Sequence, residues 1–185
     1  MIAVWILLAL VIIALLYAVS LYNRLVTLRN RVDNAWSQVT VQLKRRWDLI
    51  PNLVSTVKGY AAHESQTLEA VIQARNAASH VGTDTVAAAA EAENVLSGAL
   101  RQLFALSESY PDLKANENFN SLQAELSATE DKISYARQFY NDTVMTYNTS
   151  IELFPASLLA SSLGFSSKTY FEIDQEQTEP VKVEF

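Results

Sequence analysis

The chain has 185 residues, a formal net charge of -6, no cysteine, and only four glycines and four prolines. Without cysteine there is no disulfide, thiolate metal site or thiol nucleophile, and so little Gly and Pro points to long helices. The charge is divided: residues 1–50 carry six Lys or Arg against two Asp or Glu, and residues 51–185 eight against eighteen, so the acidic distal part repels phosphate backbones and nucleic acid is excluded as a partner.

No charged side chain occurs from Met1 to Asn23, and 13 of the first 21 positions are Ile, Leu or Val. At 1.5 Å per residue such a stretch covers about 30 Å, the thickness of a bilayer's hydrocarbon core, so it reads as a transmembrane helix. A cleaved signal peptide fits less well, because no Lys or Arg precedes Arg24 and the apolar run is too long, although Ala18-Val19-Ser20 resembles a cleavage site. A buried soluble helix would need protein on every side. Arg24, Arg29 and Arg31 follow the span with only Asp33 against them, which puts the bulk of the chain on the cytoplasmic side and a short N-terminus outside.

Past the span, Leu21, Leu25, Leu28, Val32, Ala35, Val39 and Leu43 recur every three or four residues. The membrane helix is therefore expected to continue without a joint into a bundle. Pro51 disfavours helical geometry at Ile50 and Asp48 is a competent N-cap, so a turn or sharp kink is expected around Trp47 to Asn52. A second helix follows, with Leu53, Val57, Tyr60, Leu68, Val71 and Arg75 near one face. It ends near His80-Val81, with Gly82 at C′ and Thr83 or Asp84 as the next N-cap.

A third helix runs from Val86 through Leu96, Leu100 and Leu103 and stops before Pro111. The polar connection Pro111 to Asn118 has room for one helical turn. Asn116 or Asn118 then caps a fourth helix of about thirty residues, striped by Phe119, Leu122, Leu126, Thr129, Ile133, Ala136, Tyr140, Val144, Tyr147 and Ile151. Striped helices with short connections bury their stripes by packing antiparallel.

The fold expected is all-α: a transmembrane helix (1–23), an antiparallel four-helix bundle (24–154) and a C-terminal tail (155–185) packing on the bundle or on a neighbouring subunit. Leu163, Phe165, Tyr170 and Phe171 make that tail too apolar to hang free. Val181, Val183 and Phe185 alternate as a strand would. These seven residues are the candidate oligomer contacts.

No Glu-x-x-His pair, HExxH, G-x-S-x-G or P-loop occurs, and His63 and His80 lack metal-ligand spacing, so no cofactor, metal or enzymatic activity is expected. Lys44-Arg45-Arg46 is the one basic cluster. A straight helix carries it about 30 Å beyond the bilayer, several times the screening length of about 8 Å, so pairing with Asp48 and acidic neighbouring helices is favoured over lipid contact.

Tyr22-Asn23, Arg29-Asn30, Val32, Ala35-Trp36-Ser37 and Val41-Gln42-Leu43-Lys44-Arg45-Arg46 lead into Asp48-Leu49-Ile50-Pro51-Asn52-Leu53-Val54 and Val57-Lys58-Gly59-Tyr60-Ala61. Later come Tyr110-Pro111-Asp112-Leu113-Lys114-Ala115-Asn116, Phe119, Leu122-Gln123, Glu125-Leu126, Thr129-Glu130, Tyr140-Asn141, Tyr147-Asn148 and Phe154-Pro155. Together these closely resemble the bacterial LemA family over nearly the whole chain, except about 79–95 and the final twenty residues. The resemblance implies a bacterial inner-membrane protein with one N-terminal membrane helix and a helical bundle, without established enzymatic activity, in a family linked to membrane processes that include magnetosome membranes. It also draws attention to Lys44–Val54 and Pro111–Phe119, which makes Lys44, Arg45, Arg46, Asn52, Lys58, Asn116 and Asn118 the candidate partner surface. The partners expected are the lipid bilayer, further copies of the chain and other membrane proteins. The function expected is a self-associating membrane scaffold; the alternative is a monomeric adaptor of another membrane protein, such as a protease.

Overall fold

The structure, a computed structural model, describes residues 1–81 and 85–172, and all regular structure among them is helical. The helices are α1 (Ile2–Lys58), α2 (Ser65–Val81), α3 (Val86–Ser107), α4 (Pro111–Lys114), α5 (Glu117–Glu152) and α6 (Ala156–Leu159). The chain forms two compact units, one from Met1–Val39 and Tyr135–Tyr170, the other from Thr40–Ser134 with Phe171 and Glu172.

α1 begins as the apolar stretch, long and apolar enough to cross a membrane, with none of its apolar window buried inside the protein. A surface of Ile, Leu and Val with no protein over it suits a lipid solvent, since every backbone polar group is satisfied within the helix. Farther along, Leu25, Leu28, Val32, Ala35 and Val39 are buried in the first unit, and Leu43, Trp47, Ile50, Leu53 and Val57 in the second. The stripe foreseen from spacing is thus the face that packs.

The break expected at Trp47–Asn52 is absent. Pro51 lies inside α1, which runs on to Lys58. A proline removes the N–H that would bond the carbonyl four residues earlier, here that of Trp47. Arg75 of α2 supplies the missing donor, its Nε lying 3.1 Å from the Trp47 carbonyl oxygen. The turn comes instead at Gly59–Glu64, where Gly59 and Tyr60 N–H groups close onto the carbonyls of Thr56 and Val57.

In the second unit α2 packs along α3, with Leu68 and Val71 buried on the former and Leu96, Leu100 and Leu103 on the latter. Thr85 is the N-cap of α3, its Oγ1 accepting from Ala88 N–H at 3.2 Å. The cap is therefore not Thr83 or Asp84, which with Gly82 lie outside the described residues. α4 is the single turn for which the polar connection had room, with Pro111 opening it and Leu113 buried. Phe104 of α3 meets Phe119 of α5 edge to face at 6.4 Å between centroids, joining the end of one helix to the start of the other.

Candidate functional site

Arg46 and Trp47 share the inward side of α1 with Leu43 and Ile50, and Glu93 sits on the inward side of α3 between Ala89 and Leu96. Trp47 Nε1 donates to Glu93 Oε1 at 2.7 Å and Arg46 Nη1 to Oε2 at 3.2 Å. Arg46 Nη2 donates to Ser97 Oγ at 2.7 Å, and its Nη1 also lies 3.1 Å from a carboxylate oxygen of Glu130 on α5. Arg46 is 3% exposed and Glu93 1%. Burial pushes the Glu93 carboxyl above its ordinary range; Arg46 and Trp47 pull it partly back, and Glu130 adds to the rise. Both carboxylate oxygens are taken by protein donors, so Glu93 orders the fold and offers no free base to a ligand.

The seven residues of the candidate partner surface do not form one patch. Lys44 faces solvent. Arg45 Nη2 donates to Glu125 at 2.8 Å with both side chains more than a third exposed, a pair worth at most about 1 kcal/mol. Arg46 points inward. Asn52 and Lys58 are exposed on α1, and Lys58 lies about 21 Å along the axis from Lys44 at the helical rise. Asn116 caps α5, its Oδ1 accepting from Phe119 N–H at 2.9 Å while its Nδ2 donates to Tyr60 Oη at 2.9 Å. Asn118 is exposed. Near Tyr60, the Tyr110 hydroxyl donates to Glu64 Oε1 at 3.0 Å, and that bond foremost raises the Tyr110 phenol.

In the first unit α5 holds the chain that follows it. The Tyr140 hydroxyl donates to the Thr169 carbonyl at 2.8 Å and the Tyr147 hydroxyl to that of Ser166 at 3.0 Å. Asn148 binds both backbone groups of Lys168, donating to its carbonyl at 2.9 Å and accepting from its N–H at 2.8 Å. Lys168 Nζ then reaches Asp33 Oδ1 of α1 at 3.0 Å. Burial, with Asp33 adding to it, pushes the Tyr140 phenol up to about 12. Burial also raises Tyr147, where Arg29 counteracts and Asp33 adds.

Phe165 packs against Tyr22, ring centroids 5.7 Å apart, and under the Arg29 guanidinium at 5.4 Å. Of the candidate oligomer contacts, Phe165 and Phe171 are buried in the chain itself, whereas Leu163 and Tyr170 are exposed. Val181, Val183 and Phe185 lie outside the described residues. A groove of about 540 Å³ runs between α1 and α5, lined by Leu28, Arg31, Asn34 and Gln38 on one side and Phe139, Asp142, Thr143 and Thr146 on the other. Among the described residues no group of three or more His, Asp or Glu is placed to hold a metal ion.

Three residues organise these sites in roles that neither spacing nor motif states. Glu93 continues the buried register of Ala89, Leu96 and Leu100, and a charge in that register is its signal. Arg75 falls on an inward face, but its acceptor is invisible in the sequence. Asn148 follows the buried Tyr147 at a position where spacing alone gives no reason for an amide.

The profile of the LemA family matches residues 35–185. The chain is 27% identical to Protein LemA of Metamycoplasma hominis, the alignment covering 83% of this chain and 69% of that protein. It is 26% identical to Magnetosome protein MamQ 2 of Paramagnetospirillum magneticum, over 82% of this chain and 64% of the relative. Magnetosome protein MamQ of Magnetospirillum gryphiswaldense gives 25% identity over 81% and 64%; the chain thus spans just under two thirds of these magnetosome relatives. None of these names is that of an enzyme. With the profile match beginning at Ala35, inside the buried stripe of α1, and taking in every later helix, the chain belongs to the LemA family.

Proposed function

We propose that this protein is a non-enzymatic, single-pass scaffold of the bacterial inner membrane whose helical bundle self-associates on the cytoplasmic side and organises a membrane patch or membrane protein complex. The observation that carries the reading is α1: one helix passes from a lipid-suited surface into the packed core and on to Lys58. Arg24, Arg29 and Arg31 beside the span favour the cytoplasmic orientation, and the likeness to proteins named for the magnetosome fits a role at an organised membrane. A second copy of the chain is the occupant suggested for the groove between α1 and α5. Its walls carry an exposed Phe139, a guanidinium (Arg31) and a carboxylate (Asp142), a mixture that can complement itself across a two-fold axis.

Light scattering on the full chain in a gentle detergent tests this. A discrete oligomer that falls to the monomer mass with Phe139→Glu is expected. A monomer from the unchanged chain overturns self-association and leaves the adaptor reading, to be followed by affinity capture of a stoichiometric membrane partner.

A further inference from the structure

The corner that joins α5 to the returning chain carries a cluster of exposed apolar side chains. Leu153, Phe154 and Leu158 are 61%, 79% and 69% exposed, and Leu159 and Leu163 are exposed as well. No charged residue occurs from Leu153 to Ser167. This surface is fixed in place. Ala156 and Ala160 face inward and are buried, which turns the leucines of α6 outward. Gly164, at φ 78°, sends the chain back with the Phe165 N–H bonded to the Ala160 carbonyl at 2.9 Å.

Three contacts give the height of the corner. Tyr140 of α5 lies beside Trp36 of α1, centroids 5.3 Å apart. Past the corner, Phe165 lies against Tyr22 and Lys168 against Asp33. The returning chain therefore climbs α1 away from the span, and α5 descends toward it. Along α1, Tyr22 is about 21 Å from Trp36, and along α5 the last residue, Glu152, is about 18 Å from Tyr140, both at the helical rise. Residues 153–164 connect Glu152 to Phe165, so they occupy the level of Tyr22, just before the first charge, Arg24, where the helix leaves the bilayer.

We propose that this corner is a second membrane contact: Leu153, Phe154, Leu158 and Leu163 dip into the boundary between acyl chains and headgroups beside the span. Interfacial elements bury an apolar face by about 5–10 Å in that zone. The serines at 157, 161 and 162 can stay among headgroups, and Tyr22, at the level of the corner, is the kind of aromatic that anchors at the interface. Lipid is the occupant chosen because the span brings it there, whereas exposed apolar surface of this kind on a free protein face would have to be covered by another molecule. The inference rests on the reading of residues 2–23 as a bilayer span.

The absence of cysteine permits single-site labels on the full chain. Phe154→Cys, Leu158→Cys and Leu163→Cys, with Ile12→Cys in the span and Tyr135→Cys on exposed α5 as references, carry a small fluorophore in phosphatidylcholine–phosphatidylglycerol vesicles. Quenching is read with shallow and with deep (acyl-chain) nitroxide lipids, the deep ones reaching Ile12 at mid-span, and with aqueous iodide. The three corner labels are expected to be quenched several-fold more by nitroxide lipid than Tyr135→Cys, and less by iodide. Corner labels that behave like Tyr135→Cys overturn the proposal, and so do corner labels shielded from both quenchers, which would mark a second copy or another protein on the face. If Ile12→Cys also escapes the lipid quencher, the span itself is refuted and the corner contact falls with it; lipid quenching of Ile12→Cys alone refutes only the corner.

Discussion

At Trp47 the acceptor of a missing helical bond is met by a side chain from another helix, and this explains how a proline survives at position 51. A hydrogen bond from a charged donor is worth about 1.5–3 kcal/mol, so Arg75→Ala should lower the unfolding free energy by about that amount. In a Pro51→Ala background, residue 51 can bond the Trp47 carbonyl itself, and removal of Arg75 should then cost much less. Urea denaturation of the four-member cycle reads the coupling; equal losses in both backgrounds would refute the assigned role. Glu93 gives a test through pH. Burial raises its carboxyl above the ordinary value near 4.5, so the folded protein holds this proton more tightly than the unfolded chain. Its contribution to stability is complete below about 4.5 and declines as pH rises through the folded value. Thermal melts of the unchanged protein and Glu93→Gln should therefore diverge over that window, with the glutamine variant lacking this downward slope.

Among the elements, α3 and α5 were legible because their apolar positions recur every three or four residues over many turns. The end of α1 was not, since the proline rule is local and its exception depends on Arg75, 28 residues beyond the Trp47 carbonyl it bonds. The cap of α3 was missed narrowly, Thr85 standing next to the residues favoured by the pattern. At the return from α6, Gly164 holds a φ of 78°, and no neighbouring atom lies within 4 Å of where a Cβ would stand, so the cost of a side chain there comes from the backbone and not from crowding. Gly164→Val should destabilise by roughly 1–2 kcal/mol and loosen the seat of Phe165 on Tyr22, measured as faster amide exchange at Phe165 and Ser166. Gly98 sits in open space within α3, and alanine there should not reproduce the effect.

For the molecule as a whole, a helix apolar enough for a membrane was far easier to read than the interaction surfaces. A long uncharged run states its solvent directly, because transfer energies add residue by residue. A surface patch depends on which helices meet, and residues close in sequence separate in space: Lys44 and Arg45 face water, while Arg46 is closed in by Glu93 and Ser97. The same limit divided the tail, where Phe165 and Phe171 are internal and Leu163 remains outside.

The Arg46–Glu93 pair also decides alignment. After Val86, α3 opens with a run of small alanines, Ala87-Ala88-Ala89-Ala90, whose smooth surface could slide along its neighbours with little change in packing. A slip of one turn, about 5.4 Å, would carry the Glu93 carboxylate away from both Trp47 and Arg46 and strand two charges in apolar surroundings. The pair thus penalises the wrong registers more than it rewards the right one. A variant with the whole cluster made apolar, Arg46→Met, Glu93→Leu and Trp47→Phe so that no indole donor is left unpaired, should melt at least as high as the unchanged protein yet show more than one set of amide resonances for α3. A single sharp set would mean that the leucines alone are enough to choose between neighbouring alignments.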